Sequence, residues 1–96
     1  MFGWLSMLGT YPQRNVANFE NDVFTVDTSE VTDCDYVYEV AVAHKDFNGG
    51  ERVILEGVQT KEEAQKAHDR WVEVFLKNDV NELYDIYIGE TYRKGE

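Results

Sequence analysis

The chain has 96 residues, 43% of them hydrophobic, with 19 acids against 9 bases for a formal net charge of -10, and a single cysteine, Cys34. One hydrophobic core serves a chain of this length, so a single α+β domain over residues 1–96 is expected, with no second domain. The lone cysteine excludes an intramolecular disulfide or a multi-cysteine zinc site, and the shortage of Lys and Arg argues against direct binding to nucleic acid or an anionic membrane.

The opening stretch MFGWLSMLGTY, residues 1–11, reads as an apolar N-terminal arm. It lacks the basic start and small-residue cleavage pattern of a signal peptide, and no stretch of the chain reaches the roughly 20 apolar residues that cross a bilayer. The arm either covers an open sheet face or docks on another molecule, in which case Trp4 is the anchor.

Residues 15–19, NVANF, and 23–26, VFTV, read as a hairpin, since Asn21 and Asp22 between them supply turn chemistry. The next segment, DTSEVTDCD at 27–35, reads as a carboxylate-studded loop carrying Asp27, Glu30, Asp33 and Asp35. It has no EF-hand spacing, so Ca²⁺ is not its expected ligand. From Arg14 to Lys45 there is no intervening Lys or Arg, while that interval holds seven acids: Glu20, Asp22, Asp27, Glu30, Asp33, Asp35 and Glu39.

Residues 36–43, YVYEVAVA, alternate as a strand, with Tyr36, Tyr38, Val40 and Val42 toward the core and Glu39 on the other face. N-G-G at 48–50 then marks a tight hairpin. A Gly49-Gly50 loop, placing Phe47 opposite Arg52 and Asp46 opposite Val53, avoids the like-charge pairs of the Asn48-Gly49 alternative. That parity puts Val40 and Val42 on one face with Val53, Leu55 and Gly57, and Glu39 with Glu56 on the other.

Thr60-Lys-Glu-Glu63 is a capping box opening a helix over about 60–77, whose apolar side collects Ala64, Ala67, His68, Trp71, Val72 and Phe75. Trp71 and Phe75 are the side chains expected to be most costly to truncate. In the tail, Tyr84, Ile86 and Ile88 alternate like one further strand. The expected fold is a mostly antiparallel sheet of about four strands with one long helix packed on one face.

No catalytic constellation emerges. Glu39 and Glu56 could form an acid/base pair but read as solvated sheet residues; His44 and His68 lack metal-ligand spacing; Asp33 and Asp35 beside Cys34 work against a thiolate. N-G-G joins strands and is flanked by Asp46 and Glu51, so it makes a poor phosphate cradle. Neither a cofactor nor a metal is expected.

In order and spacing, MFGWLSMLGTY, VANFE, DTSEVTDCDYVYEVAVAH and FNGGERVILEGVQTKEEAQKAHDRWV resemble a group of small uncharacterised proteins encoded by tailed bacteriophages. The resemblance covers residues 1 to about 75 and implies a viral origin and the cytoplasm of an infected bacterium. Together with the charge it leads to the expectation of a non-enzymatic accessory protein. Its acidic surface, Asp27, Glu30, Asp33, Asp35 and Glu39, would meet a basic groove on a host or defence protein, in the manner of a phosphate backbone. Two alternatives remain open: a virion or assembly component that forms a homo-oligomer through its apolar N-terminus, and a small-molecule sponge.

Overall fold

A computed structural model describes residues 15–32 and 34–95. Four antiparallel strands, β1 (Asn15–Glu20), β2 (Phe24–Glu30), β3 (Tyr38–His44) and β4 (Arg52–Val58), form a sheet in sequence order. The Asn21 side-chain oxygen starts the first hairpin by accepting the amides of Val23 and Phe24 at 2.8 and 2.9 Å. Along β2, Phe24, Val26 and Thr28 are buried while Thr25, Asp27 and Ser29 are half-buried, so one face of the sheet is core and the other is partly wet.

The core face meets α1 (Lys61–Lys77). The Thr60 hydroxyl accepts the Glu63 amide at 3.1 Å and the Glu63 carboxylate accepts the Thr60 amide at 3.1 Å, as the capping box predicts. Asn78 closes the helix at φ 56°, with Lys77 in its last turn. Ala64, Ala67, His68 and Phe75 are buried, and Trp71 and Val72 pack half-buried against the same cluster of Phe24, Val26, Val40, Val42, Val53 and Leu55. The expected α+β architecture is therefore the observed one.

The β3–β4 connection departs from the two-residue turn. Ala43 pairs with Arg52 and Val42 with Val53, which leaves residues 44–51 as the loop. Phe47 is the reason: it is 1% exposed and packs edge-on against His44 at 5.0 Å, and burying a phenylalanine outweighs the preference for the shorter turn. The Asp46 amide donates to His44 Nδ1 at 3.0 Å, and a 3-10 turn over Asn48–Gly50 brings the chain back with three successive positive φ values, 51°, 63° and 85°. Asn-Gly-Gly suits that run because two of the three positions carry no Cβ.

A bulge in β4 shifts the pairing between Val40 and Ala41, since Val40 faces Glu56 and Ala41 faces Ile54. Leu55 is the surplus residue, and it stays in the core with Val53. Beyond it the parity reverses. Gly57 falls opposite Glu39 instead of joining Val40, and Tyr36, lying outside the strand, covers Gly57 so closely that a Cβ there would overlap its ring.

The tail makes a second hairpin, β5 (Glu82–Asp85) and β6 (Glu90–Arg93), in place of one strand through Ile88. Asp85 causes the break. One carboxylate oxygen accepts the amides of Tyr87 and Ile88 at 2.8 and 3.0 Å, and Gly89 completes the turn at φ 74°. The other oxygen accepts the Ile54 amide at 3.1 Å while the Ile86 amide donates to the Ile54 carbonyl at 2.9 Å, so the hairpin covers the edge of β4.

Candidate functional site

The acidic segment is not one loop. β2 runs on through Glu30, so Asp27 sits mid-strand on the face away from α1, where it accepts a hydrogen bond from the Asn15 amide group. Glu30 is exposed at the end of β2 opposite Tyr38, and Asp35 is exposed in the connection that follows. That connection is closed at its base by Val31 N–H to the Val37 carbonyl, 2.9 Å, and Val37 N–H to the Val58 carbonyl, 3.0 Å. Gln59 donates to the Asp35 carbonyl at 3.0 Å. Glu20 and Asp22 are exposed at the opposite end, and the length of β2 separates the two groups by roughly 20 Å. Asp33, Trp4 and the expected 1–11 arm lie outside the described residues.

Glu39 does not belong to this exposed surface. It is 7% exposed, its Oε1 accepts from Arg52 at 3.0 Å and its Oε2 accepts from the Tyr36 hydroxyl at 3.1 Å. Burial, with the neighbouring Glu39 carboxylate second, pushes the Tyr36 phenol above its ordinary range and keeps it protonated as that donor. A partner would find this charge already neutralised.

Four ion pairs link described residues: Arg52–Glu39, Arg70–Glu56, Lys77–Glu73 and Arg93–Glu82. None of them includes Glu20, Asp22, Asp27, Glu30 or Asp35. Across the far face the register Asn18, Asp27, Ala41, Ile54 passes from polar to apolar, so negative charge concentrates on the β1–β2 half of the sheet and at its two ends. Uncompensated charge of one sign along one flank sets up a potential that attracts cationic surfaces.

The other candidate chemistry separates in space. Because of the bulge, Glu56 faces α1, where it accepts from the Trp71 indole at 2.9 Å and from Arg70, while Glu39 faces the opposite side. The two glutamates cannot flank one substrate. His68 Nδ1 is hydrogen-bonded to the Thr28 hydroxyl at 2.8 Å, and His44 lies among Phe24, Phe47 and Phe75. Burial lowers the pKa of both histidines below 6.5. Among the described residues no cluster of three or more His, Cys, Asp or Glu is arranged to hold a metal. A surface pocket of about 340 Å³ opens between the first hairpin turn and the end of α1, lined by Asn21, Val23, Lys45, Asp46, Phe75 and Asn78 among others. Lys45 is the one cation among the described residues lining it, and Asp46 stands with it, a poor setting for an anionic ligand.

The residue that sequence reasoning passed over is Asp85, buried and engaged with three backbone amides. Its signal was the Asp-x-x-x-Gly spacing from Asp85 to Gly89, a turn pattern hidden by the apolar Ile86, Tyr87 and Ile88 between them. Comparison with protein-family models, curated proteins and solved structures finds no match. No helix among the described residues is long and apolar enough to cross a membrane.

Proposed function

We propose that this is a non-enzymatic phage accessory protein, acting in the cytoplasm of an infected bacterium, that binds a host or defence protein through an acidic surface. The surface comprises Asp27, Glu30 and Asp35, extended by Glu20 and Asp22, and its complement is a basic groove of the sort that otherwise holds nucleic acid. The viral setting rests on the sequence resemblance. The binding mode rests on one observation: these five carboxylates lie in the interval between Arg14 and Lys45 that holds no Lys or Arg, and none of them has a cationic partner among the described residues. They share that unpaired state with acids outside the interval, such as Glu51, Glu62 and Glu90. β2 holds Asp27 on its far face and Glu30, three positions on and so on the opposite face, at its end beside Asp35. The surface therefore wraps the end of the sheet and needs little ordering on binding.

The test is affinity capture from host lysate at low and high salt, with the wild-type chain and a variant carrying Asp27→Asn, Glu30→Gln, Asp33→Asn and Asp35→Asn. A partner held by this surface is lost in the variant and released as salt rises. Equal recovery of the same partner by both proteins overturns the proposal.

A further inference from the structure

The second hairpin has an edge with no strand beside it among the described residues, and its open stretch ends at Arg93, since just beyond it the Gly95 amide donates to the Asp46 carbonyl of the β3–β4 loop at 2.6 Å. Beyond the Glu82–Arg93 pair, the Lys94 amide donates to the Asn81 carbonyl at 2.9 Å. Hydrogen-bonded and non-bonded pairs alternate in an antiparallel ladder, which makes Leu83–Tyr92 and Asp85–Glu90 the bonded pairs. Thr91 and Arg93 therefore turn their N–H and C=O groups away from β5. Glu90, Thr91 and Arg93 are all exposed, as are Tyr84, Ile86, Tyr87 and Ile88 on the same hairpin, with Tyr87 at 69%. By contrast, β5 itself covers the edge of β4. Large apolar residues at an exposed turn beside an open strand edge are an arrangement that isolated domains avoid.

We infer that β6 pairs with β6 of a second copy of this chain, antiparallel, about a two-fold axis at Tyr92. Only Thr91 and Arg93 have outward backbone groups in β6, so three two-fold registers are available: Thr91 on Thr91, Thr91 on Arg93, or Arg93 on Arg93. The first sets Glu90 against Tyr92 of the second copy and the third sets two arginines together. The middle register places Glu90 opposite Lys94 of the second copy and, by symmetry, Lys94 opposite its Glu90. It is the one that yields opposite-charge pairs. Neither Glu90 nor Lys94 takes part in the ion pairs among the described residues. Thr91 shares a face with Tyr84, and in this register Arg93 of the second copy stands beside them, laying its stem against a ring that is 55% exposed in the single chain. The contact is short and each copy carries a net charge of -10, so the association is weak and concentration-dependent. It is independent of the acidic-surface proposal.

Sedimentation velocity on the full chain from about 5 to 500 µM, a range set by the small contact, tests it. The expected result is a monomer–dimer equilibrium that Glu90→Lys weakens roughly tenfold or more, because two attractive pairs become two repulsive ones, and that Glu90→Lys combined with Lys94→Glu restores. Thr91→Pro, which removes an outward amide without touching the β5–β6 ladder, abolishes the dimer. A wild-type monomer throughout the range overturns the inference. So does a dimer that Glu90→Lys leaves intact or that the charge swap fails to restore, since association then uses another surface or register. The charge swap decides the matter even if the proline variant does not fold.

Discussion

Thr28 and His68, forty residues apart, meet at 2.8 Å in a fully buried hydrogen bond that ties β2 to α1. Burial lowers the pKa of His68, with Asp69 and Asp27 opposing, and it lowers that of His44, with Asp46 opposing and Lys94 and Lys45 adding to the shift. The folded state therefore holds these rings neutral at a pH where the unfolded chain, titrating near 6.5, begins to take up protons. Stability is full above about 6.5 and falls as pH drops toward the folded values, by at most about 1.4 kcal/mol per pH unit for each histidine. Urea unfolding at pH 7.5 and 5.5 measures the loss, and a midpoint unchanged between them contradicts it. Thr28→Val, which leaves the ring nitrogen unpaired, costs about 1 to 3 kcal/mol at pH 7.5.

Asp85 supports a turn and an edge at once. Asp85→Ala deprives three buried or half-buried amides of their acceptor. Asp85→Asn keeps one oxygen but presents an NH₂ donor to the remaining amide. Both variants should lose about 1 to 3 kcal/mol, with faster hydrogen exchange at Ile54, Tyr87 and Ile88 in particular. Protection of those three amides equal to wild type would remove the carboxylate from this role.

Gly57 has no room for a methyl group beneath the Tyr36 ring. Gly57→Ala is expected to destabilise by about 1 to 3 kcal/mol, while Tyr36→Ala in the same chain recovers part of that loss. A double-mutant cycle on thermal unfolding gives the coupling, and simple additivity would mean that the ring moves aside freely.

Phe47 is the largest of the fully buried side chains, ahead of Trp71, which is only half-buried and spends its indole N–H on Glu56. Phe47→Ala should cost about 3 to 5 kcal/mol and exceed the cost of Trp71→Ala. Denaturant midpoints of the two variants, reversed in order, would return the helix to first place.

What the sequence made legible was local. The Thr60 to Glu63 box needs only four consecutive residues, and α1 follows it as expected. The Asn21 turn and the alternation of β2 and β3 are similarly short-range. The N-G-G turn was visible, but its length depends on Phe47 finding the core, a tertiary gain that no turn pattern encodes. V-I-L-E-G-V is apolar enough in succession that a bulge at Leu55 leaves no trace in the periodicity, and with it went the assignment of Glu39 and Glu56 to one face. Asp27 and Glu30 read as loop residues because acids are poor strand formers, yet pairing with Ala41 and Tyr38 overrides that preference. At the acidic surface, the charges were legible and their separation along a strand was not.

The extra residue in β4 has one further effect. It makes one glutamate a strut beneath a tryptophan and leaves its sheet neighbour as the counterion of an arginine, a division of labour set by counting and not by chemistry. Deleting Leu55 would restore an unbroken ladder in which Glu56 still lies opposite Val40 and Gly57 opposite Glu39, at the cost of one core side chain. In a library selected for folding, loss of the extra position should consequently be recovered about as often as truncation of Leu55 to alanine, whereas an added residue elsewhere in β4, which turns its neighbours to the wrong faces, is purged.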